Sequence, residues 1–323
     1  MPGLMLLDTP SLYYRAFYGV PESVTAPDGM PVNAVRGLLD MIATLVREHS
    51  PAALAACMDA DWRPAFRVAA IPSYKAHRLA PGGGEETPEA LVPQLPVIDR
   101  VLDAAGIARL GAEGYEADDV IGTLAARAAG PVDVVTGDRD LFQLVDDARP
   151  VRVLYTVRGI KNIEPVDEAA VTARYGIPGR AYADFAVLRG DPSDGLPGVP
   201  GVGDKTAAAL VTRFGSLAAL LDALDGGPGA GTGDGPAAPP TAPPTGSPTA
   251  PLTKAQRARL AAALDYLDVA PAVVRVARDA PVPEADLRLP AAPRDPQALA
   301  DLGARYGLTG PLKRLAAALE WPA

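Results

Sequence analysis

Short apolar runs alternate with amphipathic segments along the first half of the chain. Four runs, at residues 4–7, 53–58, 132–135 and 151–155, have the length and composition of buried strands. Helical periodicity occupies residues 32–48, 88–105 and 118–129. Strands that alternate with helices predict an α/β fold, with a mainly parallel central sheet flanked by helices on both faces.

The helix at 88–105 has the clearest predicted ends. Thr87 is a suitable N-cap, and Pro88 suits the first helical position. Gly106 follows the last periodic residue and suits the left-handed position after a helix.

After residue 163 the pattern becomes mostly helical, with turns at 176–179 and 190–203 and one long helix at 253–267. We therefore predict two domains, a catalytic α/β domain at 1–185 and a helical domain at 186–323. Residues 226–251 are nearly all Gly, Pro, Ala and Thr, which predicts a disordered surface insertion within the helical domain.

The composition excludes several kinds of site and partner. One cysteine and two histidines exclude a disulfide and a thiolate zinc cluster within the chain. No apolar run is long enough for a bilayer, and the first residues lack signal-peptide features, so we expect a cytoplasmic protein without a membrane partner. The net charge of −9 argues only weakly against a nucleic-acid partner, because acids clustered around cations add to the total.

Acidic residues follow the predicted strands. Asp8 ends the first strand, Asp59 the second, and Asp138 and Asp140 follow the third. Because the carboxyl ends of parallel strands share one edge of a sheet, we expect these acids to converge. Further acids open a predicted helix or stand in a later loop, namely Glu116, Asp118, Asp119, Asp191 and Asp194.

Clustered carboxylates without His or Cys suit Mg²⁺, or Mn²⁺ in its place. Two such ions can activate a water and stabilise the leaving oxygen of a phosphodiester. Each acid also has a structural alternative, because Asp commonly stands at helix N-termini and in turns. What favours the metal interpretation is that separate strand ends all deliver acids to one edge.

A glycine-rich run at 195–206 alternates glycines with apolar residues and then enters an Ala-rich helix. Such a turn can hold a phosphate with main-chain N–H groups, which indicates a helix-hairpin-helix that binds the DNA backbone. The alternative is a plain turn between helices. The candidate DNA-binding residues are Gly198, Gly201, Gly203, Lys205 and Thr206.

A basic segment follows Asp59. Arg67, Lys75 and Arg78 are candidates to grip phosphates, and Tyr74 is a candidate to stack on a base. The alternative is a solvated basic loop.

Together these motifs resemble the 5′ nuclease superfamily, which includes the 5′-3′ exonuclease domain of bacterial DNA polymerase I and the flap endonucleases. The most specific pieces are residues 114–119, 136–140 and 190–206, and the resemblance covers nearly the whole chain. It implies a PIN-like, resolvase-like core, a helical arch near 63–90 and a C-terminal helix-hairpin-helix domain.

The resemblance also implies roles for the candidate residues. The first metal would be served by Asp8, Asp59, Glu116, Asp118 and Asp119, and the second by Asp138, Asp140, Asp191 and Asp194. Arg67, Lys75 and Arg78 would be catalytic residues of the arch, and the hairpin would carry K⁺. The implied protein is a standalone, monomeric nuclease that cuts DNA at 5′ ends, flaps and single-strand/duplex junctions, in replication or repair and in partnership with a DNA polymerase.

Two alternatives remain open, and a third is excluded. A non-catalytic DNA-binding protein could use the hairpin alone, and a PIN-like ribonuclease would share the core. A phosphatase with an Asp nucleophile needs Asp-x-Asp at the first strand, and the Thr9-Pro10 pair after Asp8 does not fit it.

Overall fold

The computed structural model describes residues 3–225 and 252–322, so the predicted insertion at 226–251 lies outside the described residues. The strands are β1 Leu4–Asp8, β2 Ala53–Cys57, β3 Ala108–Leu110, β4 Val132–Thr136, β5 Val151–Tyr155 and β6 Glu164–Val166. The helices are α1 Thr9–Gly19, α2 Asn33–His49, α3 Ala65–Ala70, α4 Leu95–Ala105, α5 Ala117–Arg127, α6 Glu168–Tyr175, α7 Tyr182–Arg189, α8 Asp204–Phe214, α9 Leu217–Asp225, α10 Lys254–Ala262, α11 Leu264–Val274, α12 Pro296–Arg305 and α13 Thr309–Ala318.

The chain forms two compact units. The first contains the described residues of Met1–Ala65, Arg78–Asp167 and Val276–Ala323, and the second contains those of Phe66–His77 and Glu168–Arg275. The α/β unit is thus interrupted by the helical unit and resumes after it.

A six-stranded sheet in the order β3-β2-β1-β4-β5-β6 forms the centre of the first unit. All neighbours are parallel except β5 and β6, so the predicted mainly parallel sheet is confirmed. In the register, Asp8 stands beside Cys57 of β2, and Leu7 stands beside Val135 of β4. The carboxyl ends of the three central strands therefore share one edge.

Alternation along the strands fills both faces of the sheet. Met5 and Leu7 belong to a core shared with α1, α2 and α4, while Leu6, which points the opposite way, is also buried. Helix α5 contacts β1 and β2. At Gly122 of α5, a Cβ would meet the carbonyl oxygen of Ala277, so the glycine admits the returning chain.

The unit division differs from the predicted boundary after residue 185, because the last two helices pack onto the α/β core. Leu299 and Leu302 of α12 and Leu312 and Leu315 of α13 join the apolar cluster built on α2 and α4. The amphipathic pattern of these helices shows that they bury one face, but it does not show against which partner.

The predicted helix at 88–105 begins later than expected, at Leu95, after a 3-10 turn at Val92–Gln94. Pro93 cannot donate a main-chain hydrogen bond and disfavours helical geometry in the residue before it, so Thr87 does not cap this helix. The predicted end is confirmed, because Gly106 adopts a φ of 81°.

The second unit is helical, as predicted. Tyr175, Tyr182 and Phe185 form an aromatic cluster with ring centroids 5.2 to 5.6 Å apart. The single helix predicted at 253–267 is instead two helices, α10 and α11, because Ala263 departs from helical angles (φ −109°, ψ 10°). In the described part of the chain, no single helix suffices in length and apolarity to cross a membrane, and α8 and α9 meet that test only as a pair bent by 81°.

Candidate active site

Asp8 lies where β1 ends and α1 begins. One carboxylate oxygen, Oδ1, accepts the Ser11 N–H at 3.2 Å as the helix cap, and Oδ2 accepts the Thr136 hydroxyl at 2.5 Å. Pro10 stands in the first turn of α1, where its missing N–H is not needed. With 5% of its surface exposed, Asp8 is held firmly at the sheet edge.

Asp59 connects the end of β2 to the start of α5. Its Oδ1 accepts the Ala117 N–H at 2.7 Å, and the Asp61 N–H donates to the Tyr115 carbonyl at 3.1 Å. This places the β2 loop against the segment that carries Glu116 and Asp118.

Asp119 is different from its neighbours. Its side chain is 0% exposed, and its two oxygens accept the main-chain N–H groups of Glu116 at 3.1 Å and Ala277 at 2.8 Å. Glu116 and Asp119 together form a capping box on α5. These bonds favour a helix-capping role for Asp119 over the predicted metal ligation.

The carboxylates affect the pKa values of two neighbouring groups, the Cys57 thiol and the Tyr13 hydroxyl. Burial raises the pKa of the Cys57 thiol, and the charges of Asp8 and Asp118 raise that pKa further. Burial likewise raises the pKa of Tyr13, and Asp59 adds the next contribution. Acids from three separate segments therefore act on the same end of β1 and β2.

Asp138 and Asp140 follow β4 in a compact loop. The Asp138 N–H donates to the Thr136 hydroxyl oxygen at 2.8 Å, and the Asp140 N–H donates to Asp138 Oδ1 at 2.8 Å. Thr136 thus bonds both Asp8 and the loop that carries the other two acids.

The donor set of this unit fits hard divalent cations. All the candidates are carboxylates, which suit Mg²⁺ or Mn²⁺ better than softer metals. Nowhere in residues 3–225 and 252–322 are three or more Asp, Glu, His or Cys side chains gathered closely enough to enclose a metal by themselves. Mg²⁺ usually takes one or two direct carboxylates and keeps several waters, so it does not require such a cage.

In the second unit, Asp191 is held on both oxygens. Oδ1 accepts the Ser193 N–H at 2.9 Å and the Ser193 hydroxyl, and Oδ2 accepts from Arg189 Nη2 at 3.2 Å. The side chain is 4% exposed. Asp191 therefore has a fixed orientation.

Asp194 is next to the basic segment within the same unit. The Lys75 N–H donates to the Asp194 carbonyl at 2.9 Å, and the Ser73 hydroxyl donates to the Gly195 carbonyl at 2.9 Å. Lys75 adopts a φ of 48°, a left-handed conformation that is unfavourable for a residue with a side chain. The structure thus brings Lys75 and the Asp194 loop together, at some cost in backbone energy.

Two predictions for the basic segment need correction. Arg67 is 2% exposed, and its Nε donates to the Val273 carbonyl at 3.0 Å, so it supports α11 and is not placed to grip a phosphate. Tyr74 is 3% exposed and cannot stack on a base in this conformation. Lys75 and Arg78 are partly exposed, and Arg78 belongs to the first unit. The arch predicted near 63–90 contains only α3 and short turns.

The glycine run forms a tight hairpin between α7 and α8. Gly190, Gly198 and Gly201 all have positive φ, and a Cβ on Gly198 would overlap the main chain of Arg189 and Gly190. Gly203 precedes α8 with a φ of −97° and has open space beside it, so it is not required by sterics. Lys205 is exposed and Thr206 is partly exposed at the start of α8.

Two family models match the chain in succession. Residues 3–176 match the N-terminal resolvase-like domain of the 5′-3′ exonucleases, and residues 177–297 match their C-terminal SAM fold. The chain belongs to the 5′-3′ exonuclease family. The predicted superfamily, fold class and nuclease function are therefore confirmed.

Individual relatives agree with this membership. A 5′-3′ exonuclease of Streptomyces coelicolor is 60% identical over 96% of this chain and 98% of its own length. DNA polymerase I of Mycobacterium bovis is 45% identical over 69% of this chain but 24% of its own length. The crystal structure of the T5 D15 protein with metal ions has a TM-score of 0.61 over 98% of both chains at 17% identity, which shows likeness of fold.

Sequence reasoning missed the residues that orient the acids of this 5′-3′ exonuclease. Thr136 holds Asp8, and Arg189 and Ser193 hold Asp191. All three stand beside motif acids in the sequence, and a polar residue at a strand end was the available signal for Thr136.

Proposed function

We propose that this family member hydrolyses DNA phosphodiester bonds at 5′ ends and at 5′ flaps, with two Mg²⁺ ions for which Mn²⁺ can substitute. The observation that supports the proposal is the fixed carboxylate of Asp8 at the sheet edge: Thr136 bonds both Asp8 and the loop of Asp138, and the charges of Asp8 and Asp118 both raise the pKa of Cys57. The T5 D15 flap endonuclease, which shares the fold, is described in complex with DNA and metal ions.

The residues of this chain would prepare the site for the reaction. Asp8, Asp59, Glu116 and Asp118 would hold the first ion, and Asp138, Asp140, Asp191 and Asp194 the second. Thr136 and Arg189 orient two of these carboxylates before any ion arrives. When bound, the ions would lower the pKa of a water and stabilise the leaving oxygen. Lys75, held in its strained conformation, and Arg78 would bind the phosphate.

The hairpin would bind the duplex backbone. Its glycines keep the main chain close enough for N–H groups to approach a phosphate, and Lys205 is exposed beside them. We also propose a K⁺ ion at the hairpin carbonyls, which are the ligand type that K⁺ accepts. One of these carbonyls, that of Gly201, already accepts a bond from Arg259.

Cellular context forms the last part of the proposal. The match to 24% of the length of a DNA polymerase I supports action together with a polymerase, because a related segment is part of that protein's own chain. We propose a monomer that acts in the cytoplasm during replication or repair.

Cleavage of an end-labelled 5′-flap substrate tests the proposal. The purified protein should cut with Mg²⁺ and stop with EDTA. Changing Asp140 or Asp191 to Ala should reduce cutting by at least about 100-fold while binding measured in Ca²⁺ persists. Asp286→Asn, at an exposed site away from the motifs, is the matched control.

Two results would overturn the proposal in different ways. Uncut flap DNA with intact junction binding would indicate a non-catalytic DNA-binding protein. Preferential cutting of RNA of the same structure would indicate a PIN-like ribonuclease.

A further inference from the structure

The hairpin of the second unit has an unexpected neighbour on α10. Arg259 Nη1 donates to the Gly201 carbonyl at 3.0 Å. A Cβ on Gly201 would come within 3.1 Å of Arg259 Cζ and 3.2 Å of its Nε, so the guanidinium lies directly against this glycine. Gly201 thus serves two needs, a φ of 74° and room for the arginine.

The bond to Gly201 fixes the guanidinium without neutralising it. Arginine carries five N–H donors, and only the Nη1 group is engaged by the carbonyl. The side chain is exposed, and no Asp or Glu within residues 3–225 and 252–322 forms an ion pair with it. A preoriented positive charge with unused donors therefore stands beside the hairpin.

Arg259 matters for the attraction of a phosphate because the other exposed charges at the hairpin oppose each other. Lys205 is exposed, but Asp204 beside it is exposed as well and carries the opposite charge. Asp204 is also 3.9 Å from Arg189 Nε, a separation that neutralises it only weakly. A phosphate at the hairpin would gain much of its attraction from a second cation.

Arg257, on the same helix, shows what a purely structural arginine does here. Its Nη1 donates to the carbonyls of Leu224 at 2.7 Å and Ala223 at 3.4 Å, at the C-terminal end of α9. A cation at that position satisfies the last carbonyls of a helix. Arg257 is partly buried, whereas Arg259 is exposed.

We propose that Arg259 is a DNA-binding residue of the hairpin, contacting a backbone phosphate of the duplex through its free guanidinium donors. The proposal rests on the proposed function, because it requires that the hairpin binds duplex DNA. Arg259 lies more than fifty positions beyond the glycine run, so no local motif reveals it.

The salt dependence of binding tests this contact. The dissociation constant for a 5′-flap duplex is measured in Ca²⁺ over a series of KCl concentrations. The logarithm of affinity falls as the logarithm of salt concentration rises, and losing one phosphate contact makes this slope less steep by about 0.9. Arg259→Gln should show that decrease and about tenfold weaker binding, Arg259→Lys should keep the slope, and Arg257→Gln should keep the slope of the wild type.

If the Arg259→Gln variant keeps the slope of the wild type, the proposal is overturned even if affinity falls. A residue that only supports the hairpin contacts no phosphate, so it releases no counterion from the DNA. Phenylglyoxal modification of the wild type, read by mass spectrometry, gives a test that needs no variant. Duplex DNA should protect Arg259, and failure to protect it overturns the proposal. Absence of duplex binding by the wild type would overturn the proposed function as well, which separates the two failures.

Discussion

The hydroxyl of Thr136 on β4 donates to Oδ2 of Asp8 on β1 at 2.5 Å, and the Thr136 hydroxyl oxygen accepts the Asp138 N–H at 2.8 Å. One small side chain therefore orients an acid from a strand and the first acid of the following loop. Thr136 is completely buried, so water cannot take over either bond.

Replacing Thr136 with Val keeps the shape and removes both bonds. Because Asp8 Oδ2 and the Asp138 N–H each lose the hydrogen bond to the Thr136 hydroxyl, we expect a loss of about 1–3 kcal/mol in the free energy of unfolding. We also expect about 10- to 100-fold weaker activation by Mn²⁺. Urea denaturation and Mn²⁺ titration of cleavage measure the two effects. Thr136→Ser, which retains the hydroxyl, should stay close to the wild type, and an unchanged Mn²⁺ requirement in the Val variant would refute this role.

Cys57 should be inert in the folded protein. Burial and the charges of Asp8 and Asp118 raise its pKa, so the thiol stays protonated and inaccessible. Reaction with a disulfide reagent should be at least about 100-fold slower in native buffer than in guanidinium chloride, because it requires opening of the sheet. Rapid stoichiometric labelling of the native protein would contradict the placement of Cys57.

Tyr266 should make the stability of the protein pH-dependent in the alkaline range. Its hydroxyl donates to the Val187 carbonyl at 3.0 Å, and burial raises its pKa from 10.0 to about 12. Between these values the folded protein holds the proton more tightly than the unfolded chain, so this contribution is complete below about pH 10 and is lost as the pH rises towards 12. Urea denaturation of Tyr266→Phe should show a weaker decline over this range. A decline identical to that of the wild type would exclude the contribution.

Asp184 should matter more for stability than its ion-pair partner. One oxygen accepts from Arg275 Nη2 at 2.8 Å, and the other accepts the Leu217 N–H at the start of α9 at 2.8 Å. Asp184 is buried and Arg275 is half-exposed. We expect Asp184→Ala to lower the free energy of unfolding by about 2–4 kcal/mol and Arg275→Met by about 1–2 kcal/mol, because the buried carboxylate then keeps the Leu217 N–H but loses its charged partner. Equal losses in denaturant melts would show that the ion pair dominates.

The sequence predicts the sheet well because most of its strands are short apolar runs, and such a run can be recognised from its own residues alone. The bounds of β5 match the prediction, and those of β1, β2 and β4 differ by one residue. β3 and β6 were missed, because three residues carry too little pattern. Parallel order alone places Asp8 and the Asp138 loop at one edge, which is why these candidates could be chosen without coordinates.

What the sequence does not contain is the identity of distant partners. Thr136 and Asp8 are 128 positions apart, and Arg259 and Gly201 are 58 apart. Arg67 looks like a DNA-binding residue beside Lys75, yet it donates to a carbonyl 206 positions away. A basic residue has the same local pattern whether it faces solvent or supports another helix, so its role depends on tertiary packing.

The return of α12 and α13 to the first unit has a consequence for synthesis on the ribosome. Their leucines complete the apolar cluster of α2 and α4, but they are translated after the whole helical unit. While the nascent chain grows, that surface of the early helices has no cover, and uncovered apolar surface is where chaperones bind and aggregation starts. The helical unit, contiguous except for residues 66–77, can therefore finish folding first, although translation of the α/β unit begins earlier.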